Sequence, residues 1–151
     1  MSLGHLGAKV LVNYRGDEAA ARTAADASLA AGAPAAELMQ ADVGDATEAR
    51  ALVTSALERH GRLDIVVNNA GIQTSSMAHK MTAEDWQRVL DVNLSGVFHV
   101  SAAALLWMRE ARSGHIVNVA SASSFVAQVG AASYVASKHG LIGLTKVLAA
   151  E

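Results

Sequence analysis

Cysteine is absent from the 151 residues, so disulfide frameworks and thiol chemistry are excluded. Charged residues are also scarce: they make up 17% of the chain, and the net charge is −2. No basic run gives an electrostatic reason to expect a nucleic-acid partner. The six histidines form no His-x-His or His-x-x-x-His pair, and we therefore predict no metal site.

Long hydrophobic runs are missing as well. No apolar run reaches the roughly 18 residues of a membrane span, and the N-terminus lacks the apolar core of a signal peptide. We therefore predict a cytoplasmic protein without a membrane partner. Hydrophobic residues make up 52% of the chain, which predicts one globular domain over residues 1–151.

What is present is an alternation of strand and helix patterns. Apolar, strand-like segments lie at 8–14, 37–41, 63–67 and 116–119. Helical patterns lie at 17–31, 45–61, 82–112 and 132–151. This order predicts an α/β fold in which helices cover both faces of a parallel, doubly wound sheet. In the last helix, Gly140 and Gly143 are positions where a neighbour could approach closely.

Each predicted strand ends in small or polar residues: Tyr14-Arg15, Asp42-Val43, Asn68 to Gly71, and Ser121. Ligands of open α/β sheets bind along the edge that the carboxyl ends of the strands form, so we predict a binding crevice there.

An amide interrupts the apolar stripe of the helix at 82–112. Asn93 falls on the stripe, and a buried amide is costly unless it is hydrogen-bonded. Asn93 is therefore either a satisfied core amide that bonds nearby backbone or a residue with a role at the site. The stripe contains Trp86, Val89, Leu90, Val97 and Val100.

Tyr134 and Lys138 lie four residues apart in the last predicted helix, which places both on the same face. An ammonium group beside a phenol favours the phenolate, and such a tyrosine can pass a proton to or from a substrate oxygen. Tyr-x-x-x-Lys also occurs by chance on helices, so the interpretation depends on the surrounding motifs.

Several motifs together resemble one family. Asn68-Asn-Ala-Gly71 is followed by Asp91-Val-Asn-Leu-Ser-Gly96, then by Ser121, Tyr134 and Lys138. In this order and spacing they resemble the classical short-chain dehydrogenases/reductases, from about Gly7 to Glu151. The resemblance implies a Rossmann-like fold and an NAD(P)-dependent oxidoreductase that interconverts an alcohol and a ketone or aldehyde.

The resemblance also implies roles for single residues. Tyr134 would donate and accept the proton, Lys138 would assist it and hold the nicotinamide ribose, and Ser121 would bond the substrate oxygen. Asn93 would hold a water that links Lys138 to solvent. The remaining serines nearby are interpreted as turn and helix-flank residues: Ser123, Ser124, Ser133 and Ser137. The cofactor-binding residues implied are Tyr14, Arg15, Asp42, Val43, Asn69, Ala70, Gly71, Tyr134 and Lys138.

The residues after the first predicted strand bear on the choice of cofactor. An acid at this position bonds the ribose 2′-hydroxyl and favours NAD. This chain has Tyr14 and Arg15 instead, and a guanidinium suits a 2′-phosphate. We therefore predict NADP, with NAD possible if Arg15 is only a solvated loop residue.

The chain departs from the family at both ends. Three features of the family have no counterpart in residues 1–151. They are the family's first strand, its Thr-Gly-x-x-x-Gly-x-Gly phosphate loop and its last strands. In the strand order 3-2-1-4-5-6, strand one is the common partner of strands two and four. The strands at Lys9–Asn13 and Asp64–Val67 would then have exposed edges. The two halves would pair directly, another chain would supply the strand, or the fragment would be marginally stable.

Three functional hypotheses remain open. The first is an NADP-dependent oxidoreductase. The second is a truncated, catalytically incompetent relative that acts at most as a homo-oligomerising module through the helices at 82–112 and 132–151. The third and weaker one is an epimerase-like relative, which shares Tyr-x-x-x-Lys but fits the Asn-Asn-Ala-Gly and Ser121 spacing less well.

Overall fold

The computed structural model describes residues 3–151. The chain divides into two compact units, Met1–Asp42 and Val43–Glu151. After a short 3-10 turn at Leu3–Leu6, the first unit contains β1 Val10–Tyr14, α1 Glu18–Ala30 and β2 Ala36–Gln40. The second unit contains α2 Ala46–His60, β3 Ile65–Asn68, α3 Ala83–Leu90, a π-helical turn Asp91–Ser95, α4 Gly96–Ala111, β4 His115–Asn118, a 3-10 turn Ala122–Ser124 and α5 Ala132–Ala150.

The first unit is one β-α-β crossover. β1 and β2 pair in parallel, and α1 connects them and packs on both. The carboxylate of Asp17 accepts a hydrogen bond from the Ala20 N–H at 2.8 Å and caps α1. The apolar strand predicted at 8–14 is present, but all five residues of β1 are only half-buried.

The core of the second unit lies between α2, α4 and β3. Ala49 and Val53 of α2 pack with Val100 and Ala104 of α4, and Val66 of β3 lies beside them. The predicted α2 begins and ends as its sequence indicates. Asp45 accepts hydrogen bonds from two backbone N–H groups at its start, and Gly61 ends it with a φ of 70°.

The helix predicted at 82–112 is continuous but not regular. Thr82 accepts the Asp85 N–H at 3.0 Å and caps α3, as predicted. At Asp91–Ser95 one turn widens to a π-helix, and α4 then continues to Ala111. The prediction that Trp86 lies on the buried face is wrong, because this side chain is 37% exposed while Val89 is fully buried.

Among residues 3–151, one continuous helix, Ala83–Ala111, is long and apolar enough to cross a membrane by length and composition alone. Core helices of globular proteins pass the same test. The α4 part of this helix supplies Val100, Ala103, Ala104 and Met108 to the core of the second unit. We therefore interpret it as a core helix.

The strands of the described chain pair as two sheets of two strands each. β1 pairs in parallel with β2, and β3 pairs in parallel with β4. Within residues 3–151, β1 pairs with β2 alone and β3 pairs with β4 alone. On β3, Ile65 and Val67 are 39% and 46% exposed, so this strand presents an apolar face.

The glycines of α4 and α5 show how closely other parts of the chain approach these helices. A β-carbon on Gly96 would lie 3.0 Å from Val43 Cγ2 and 3.1 Å from the Val43 carbonyl oxygen. On Gly140 it would lie 3.1 Å from Leu94, which confirms the predicted close approach there. Apart from its own helical turns and chain neighbours, no described atom lies within 4 Å of such a β-carbon on Gly143, so the same prediction is wrong at that position.

We expect Gly96→Ala to lower the free energy of unfolding by about 1–3 kcal/mol, because the new methyl group meets backbone that cannot move aside cheaply. Gly143→Ala is the matched control. It changes the same atoms in a helix with open space, and we expect a gain of up to about 1 kcal/mol from helix propensity. Urea unfolding measures both, and equal effects of the two variants would contradict the close packing of Gly96 on Val43.

Candidate functional site

A buried amide, Asn93, connects three segments of the second unit. The π-helical turn carries it, and its side chain is fully buried. Asn93 Oδ1 accepts a hydrogen bond from the Ile72 N–H at 2.8 Å. Its Nδ2 donates to the Ile72 carbonyl at 2.9 Å and to Ser137 Oγ at 3.2 Å. The amide is therefore satisfied, and it fixes the backbone that directly follows Gly71.

Lys138 is a buried cation on α5, only 5% exposed. Its Nζ donates a hydrogen bond to the Val119 carbonyl, just after β4, at 2.7 Å, and lies 5.8 Å from the ring centroid of Tyr134. The prediction that Tyr134 and Lys138 face the same way is confirmed. An ammonium group has three donors, and the Val119 carbonyl uses one of them. No hydrogen-bond acceptor for the other two is found among residues 3–151, so they are available to a ligand.

Gly71 lies where Asn93 and Lys138 converge. A β-carbon on Gly71 would lie 3.5 Å from Asn93 Oδ1 and 3.9 Å from Lys138 Nζ. These are ordinary contact distances, so the packing of the chain itself does not require a glycine here. Asn69, Ala70 and Gly71 are exposed. The missing side chain of Gly71 therefore leaves the approach to the ammonium group open.

Ser121 follows β4 and begins the 3-10 turn Ala122–Ser124. Its Oγ accepts a hydrogen bond from the Ser123 N–H at 3.1 Å, and its N–H donates to Ser124 Oγ at 3.2 Å. Ser123 and Ser124 are therefore turn residues, as predicted. The hydroxyl hydrogen of Ser121 takes no part in this cap, so it can be donated to a ligand.

A short contact joins the two loops next to these residues. Ser76, in the loop after Gly71, pairs with Ala131 in an isolated parallel bridge, and the Ser76 N–H donates to the Gly130 carbonyl at 2.9 Å. Because α5 begins at Ala132, this bridge ties the loop after Gly71 to the start of the helix that carries Tyr134.

Ser133 and Ser137 lie in the last predicted helix, as expected, but on its buried side. Both lie inside α5 and are fully buried. Ser137 contacts Asn93 and also donates a hydrogen bond to the Tyr134 carbonyl at 2.7 Å. Sequence reasoning missed this role because a serine four residues after another serine carries no sign of which one is bonded.

A second polar network was also missed. Asn68 Nδ2 donates to Ser101 Oγ at 3.1 Å and to Asn118 Oδ1 at 2.8 Å, and Asn118 Nδ2 donates to Thr145 Oγ1 at 2.9 Å. These bonds link β3, β4, α4 and α5 behind the candidate site. Asn118 was detectable, because a polar residue inside the apolar run at 116–119 needs a partner when it is half-buried.

Three predicted cofactor residues lie in the first unit. Tyr14 ends β1, and its carbonyl accepts the Ala41 N–H at 2.9 Å. This bond holds the end of β1 beside the residues that follow β2. Arg15 Nη1 lies 3.5 Å from Asp42 Oδ2, and the two side chains are 58% and 35% exposed. Arg15, which the sequence predicts to bind the cofactor, thus lies beside the carboxylate of Asp42.

Val43, the first residue of the second unit, is half-buried, and its carbonyl lies 3.4 Å from His99 Nδ1 on α4. Elsewhere in this unit, a groove of about 400 Å³ lies between the C-terminal ends of α4 and α5 and the start of β4. It contains none of the predicted site residues, so cavity size does not identify the site.

A model of the short chain dehydrogenase family matches residues 1–151. The chain belongs to this family. Its fold is the Rossmann-like α/β fold of the family, with parallel strands, and the described residues form a part of that fold.

Relatives of known structure have the same fold. A metagenomic short-chain oxidoreductase in complex with NADP superposes with a TM-score of 0.89 at 34% identity, over 96% of this chain and 65% of that one. A Sinorhizobium meliloti protein described as a short-chain alcohol dehydrogenase superposes with a TM-score of 0.92 at 33% identity, over 98% and 58%.

Two relatives carry more specific names. A 3-oxoacyl-(acyl-carrier-protein) reductase of Synechocystis is 40% identical over the whole chain, which spans 61% of that protein. An acetoacetyl-CoA reductase of Acinetobacter is 42% identical over 73% of the chain and 44% of its own length. The chain thus spans about three fifths of the length of the Synechocystis relative.

Proposed function

We propose that the chain carries the catalytic residues of an NADP(H)-dependent oxidoreductase that interconverts a carbonyl and an alcohol. One observation carries this proposal: the buried ammonium group of Lys138 lies beside the Tyr134 ring and next to the open approach at Gly71. A buried cation with unused donors is costly to fold, and a functional site is a common reason for one.

The residues fit the nicotinamide end of such a cofactor. The two unused donors of Lys138 match ribose hydroxyls, and Gly71 lets a ligand approach the exposed backbone at 69–71. The cofactor supplies the hydride when bound. Tyr134 would give its hydroxyl proton to the carbonyl oxygen, and Ser121 would donate a hydrogen bond to the same oxygen. Asn93 would hold a water through the second lone pair of Oδ1, because its two N–H hydrogens are already bonded.

For the substrate we propose a 3-oxoacyl thioester. Two relatives are named for reduction of this class. The segment between Ser121 and α5 supports the assignment, because it presents Phe125, Val126 and Val129 with 73%, 57% and 85% of their surface exposed. An acyl chain could pack on these side chains while its carbonyl reaches Ser121.

The experiment is a titration of the 151-residue chain with NADPH, followed by an assay with acetoacetyl-CoA. Binding in the micromolar range, together with loss of NADPH absorbance when the thioester is added, would support the proposal. No binding at millimolar NADPH would contradict it for this chain and favour the incompetent relative.

The cofactor preference depends on Arg15. Its ion pair with Asp42 is exposed and long, and such pairs contribute about 0–1 kcal/mol, so a 2′-phosphate could replace the carboxylate. We expect Arg15→Ala to weaken NADPH by about 10- to 100-fold, since it removes a charge-assisted hydrogen bond, and NADH by less than twofold. Arg22→Ala, which removes an exposed arginine of α1, is the control and should change neither. Equal losses for NADPH and NADH would remove the basis for the NADP assignment.

The incompetent, oligomerising relative is the second candidate, and one observation favours it. Within residues 3–151 the strands form two separate two-stranded sheets. In either case we propose a homo-oligomer through the helices at 82–112 and 132–151, because α4 exposes Phe98, Leu106 and Trp107 and α5 exposes Val147. Light scattering of the purified chain tests this, and a monomer at all concentrations would contradict it. We also propose a cytoplasmic location.

A further inference from the structure

Ser137 connects two parts of the candidate site that no sequence motif connects. It lies on α5 between Tyr134 and Lys138 and is fully buried. Its Oγ accepts a hydrogen bond from Asn93 Nδ2 at 3.2 Å and donates one to the Tyr134 carbonyl at 2.7 Å. One hydroxyl thus bridges the π-helical turn and the helical turn that begins at Tyr134.

The orientation of the Asn93 amide requires a second hydrogen-bond acceptor, and the Ser137 hydroxyl supplies it. Because the Ile72 N–H can only donate, the atom that faces it must be Oδ1. Nδ2 then has two hydrogens to place. The Ile72 carbonyl accepts one, and Ser137 Oγ accepts the other. If the hydroxyl is removed, an N–H of a fully buried amide loses its acceptor, which strongly disfavours the present arrangement.

We propose that Ser137 is a positioning residue. It holds the Asn93 amide against Ile72, and thereby keeps the backbone after Gly71 in place beside Lys138. Its contact with the Tyr134 carbonyl makes the position of Asn93 and that of the Tyr134 turn depend on each other. The kinetic consequence of this proposal rests on the proposed reductase function, whereas its structural consequence does not.

The same helix supplies a matched control. Ser133 is also fully buried on α5, four residues before Ser137, but its hydroxyl has no hydrogen-bond partner among residues 3–151. Ser133→Ala and Ser137→Ala therefore delete the same atom from equally buried positions. Only the second deletion removes hydrogen bonds.

The first measurement is hydrogen exchange of the Ile72 backbone amide, which bonds Asn93 Oδ1. We expect Ser137→Ala to accelerate this exchange by about tenfold or more beyond any change in the slowest core amides, because one bond that holds the acceptor is lost. Ser133→Ala should leave it unchanged. Equal exchange of Ile72 in the two variants would overturn the proposal. This measurement needs neither cofactor nor turnover.

The second measurement is the kcat of Ser137→Ala and its pH profile. It distinguishes a residue that positions the site from one that only stabilises the fold. In the acetoacetyl-CoA assay below both melting temperatures, we expect Ser137→Ala to lower kcat by about tenfold and to change the shape of its pH profile. The Kd of NADPH should stay within about twofold. A lower kcat with an unchanged pH profile would reduce Ser137 to a structural residue and overturn the proposal. If the unaltered chain does not turn over, the proposed function fails, and the exchange of Ile72 alone decides the role of Ser137.

Discussion

Replacement of Tyr134 by phenylalanine should lower kcat by about 10²- to 10⁴-fold and leave the Kd of NADPH within a few-fold. The change removes only the hydroxyl, which is the group that would protonate the carbonyl oxygen. The ring would remain beside Lys138, where its centroid lies 5.8 Å from Nζ. Steady-state kinetics with acetoacetyl-CoA and an NADPH titration measure the two quantities separately.

Two outcomes would contradict the assignment of Tyr134. Turnover within twofold of the unaltered chain would exclude its hydroxyl as the proton donor. Loss of turnover together with loss of NADPH binding would mean that the hydroxyl supports the site rather than the reaction. Ser123→Ala is a suitable control, because it also removes one hydroxyl near Ser121 but takes no part in the proposed chemistry.

Replacement of Lys138 by methionine should lower NADPH affinity and turnover but leave the free energy of unfolding almost unchanged. We expect NADPH affinity to fall by about 10- to 100-fold, because hydrogen bonds to a charged group contribute about 1.5–3 kcal/mol. Turnover should fall as well, since the ammonium beside Tyr134 is gone. The free energy of unfolding should change by less than about 1 kcal/mol, because removal of a buried cation offsets the lost bond to the Val119 carbonyl.

Lys146→Met is the matched control for this change. Lys146 lies on the same helix but is exposed, so we expect neither affinity nor stability to change measurably. Thermal unfolding and the NADPH titration compare the two variants. A large loss of stability in Lys138→Met, with affinity retained, would identify Lys138 as a structural cation and contradict its role at the cofactor.

The sequence predicts the order and type of all main elements because the local signals are strong. Asp45, Thr82 and Gly61 mark helix ends through backbone hydrogen bonds and a positive φ, which are properties of single residues. The four strand ends and the Tyr134–Lys138 pair follow from short-range spacing. The family strand order identifies which strands have an exposed edge, but it leaves open how these strands pair, and the two two-stranded sheets do not follow from it.

The sequence does not predict contacts between residues that are far apart in the chain. Nothing in the spacing of Ser133 and Ser137 says that only Ser137 contacts Asn93, which is 44 residues away. Trp86 is a second case. It lies three residues before Val89 on the same helical face, and only the packing of the folded chain decides that Val89 is fully buried while Trp86 is 37% exposed.

The wide turn at Asp91–Ser95 also has a genetic consequence. A π-helical turn holds about one residue more than an α-helical turn, so loss of a single codon here would restore a regular helix. The helix on either side would keep its buried face, because the wide turn is what accommodates the extra residue, but the inward amide of Asn93 would move away from its partners at Ile72 and Ser137. The helix would survive such a deletion, but the arrangement around Lys138 would not.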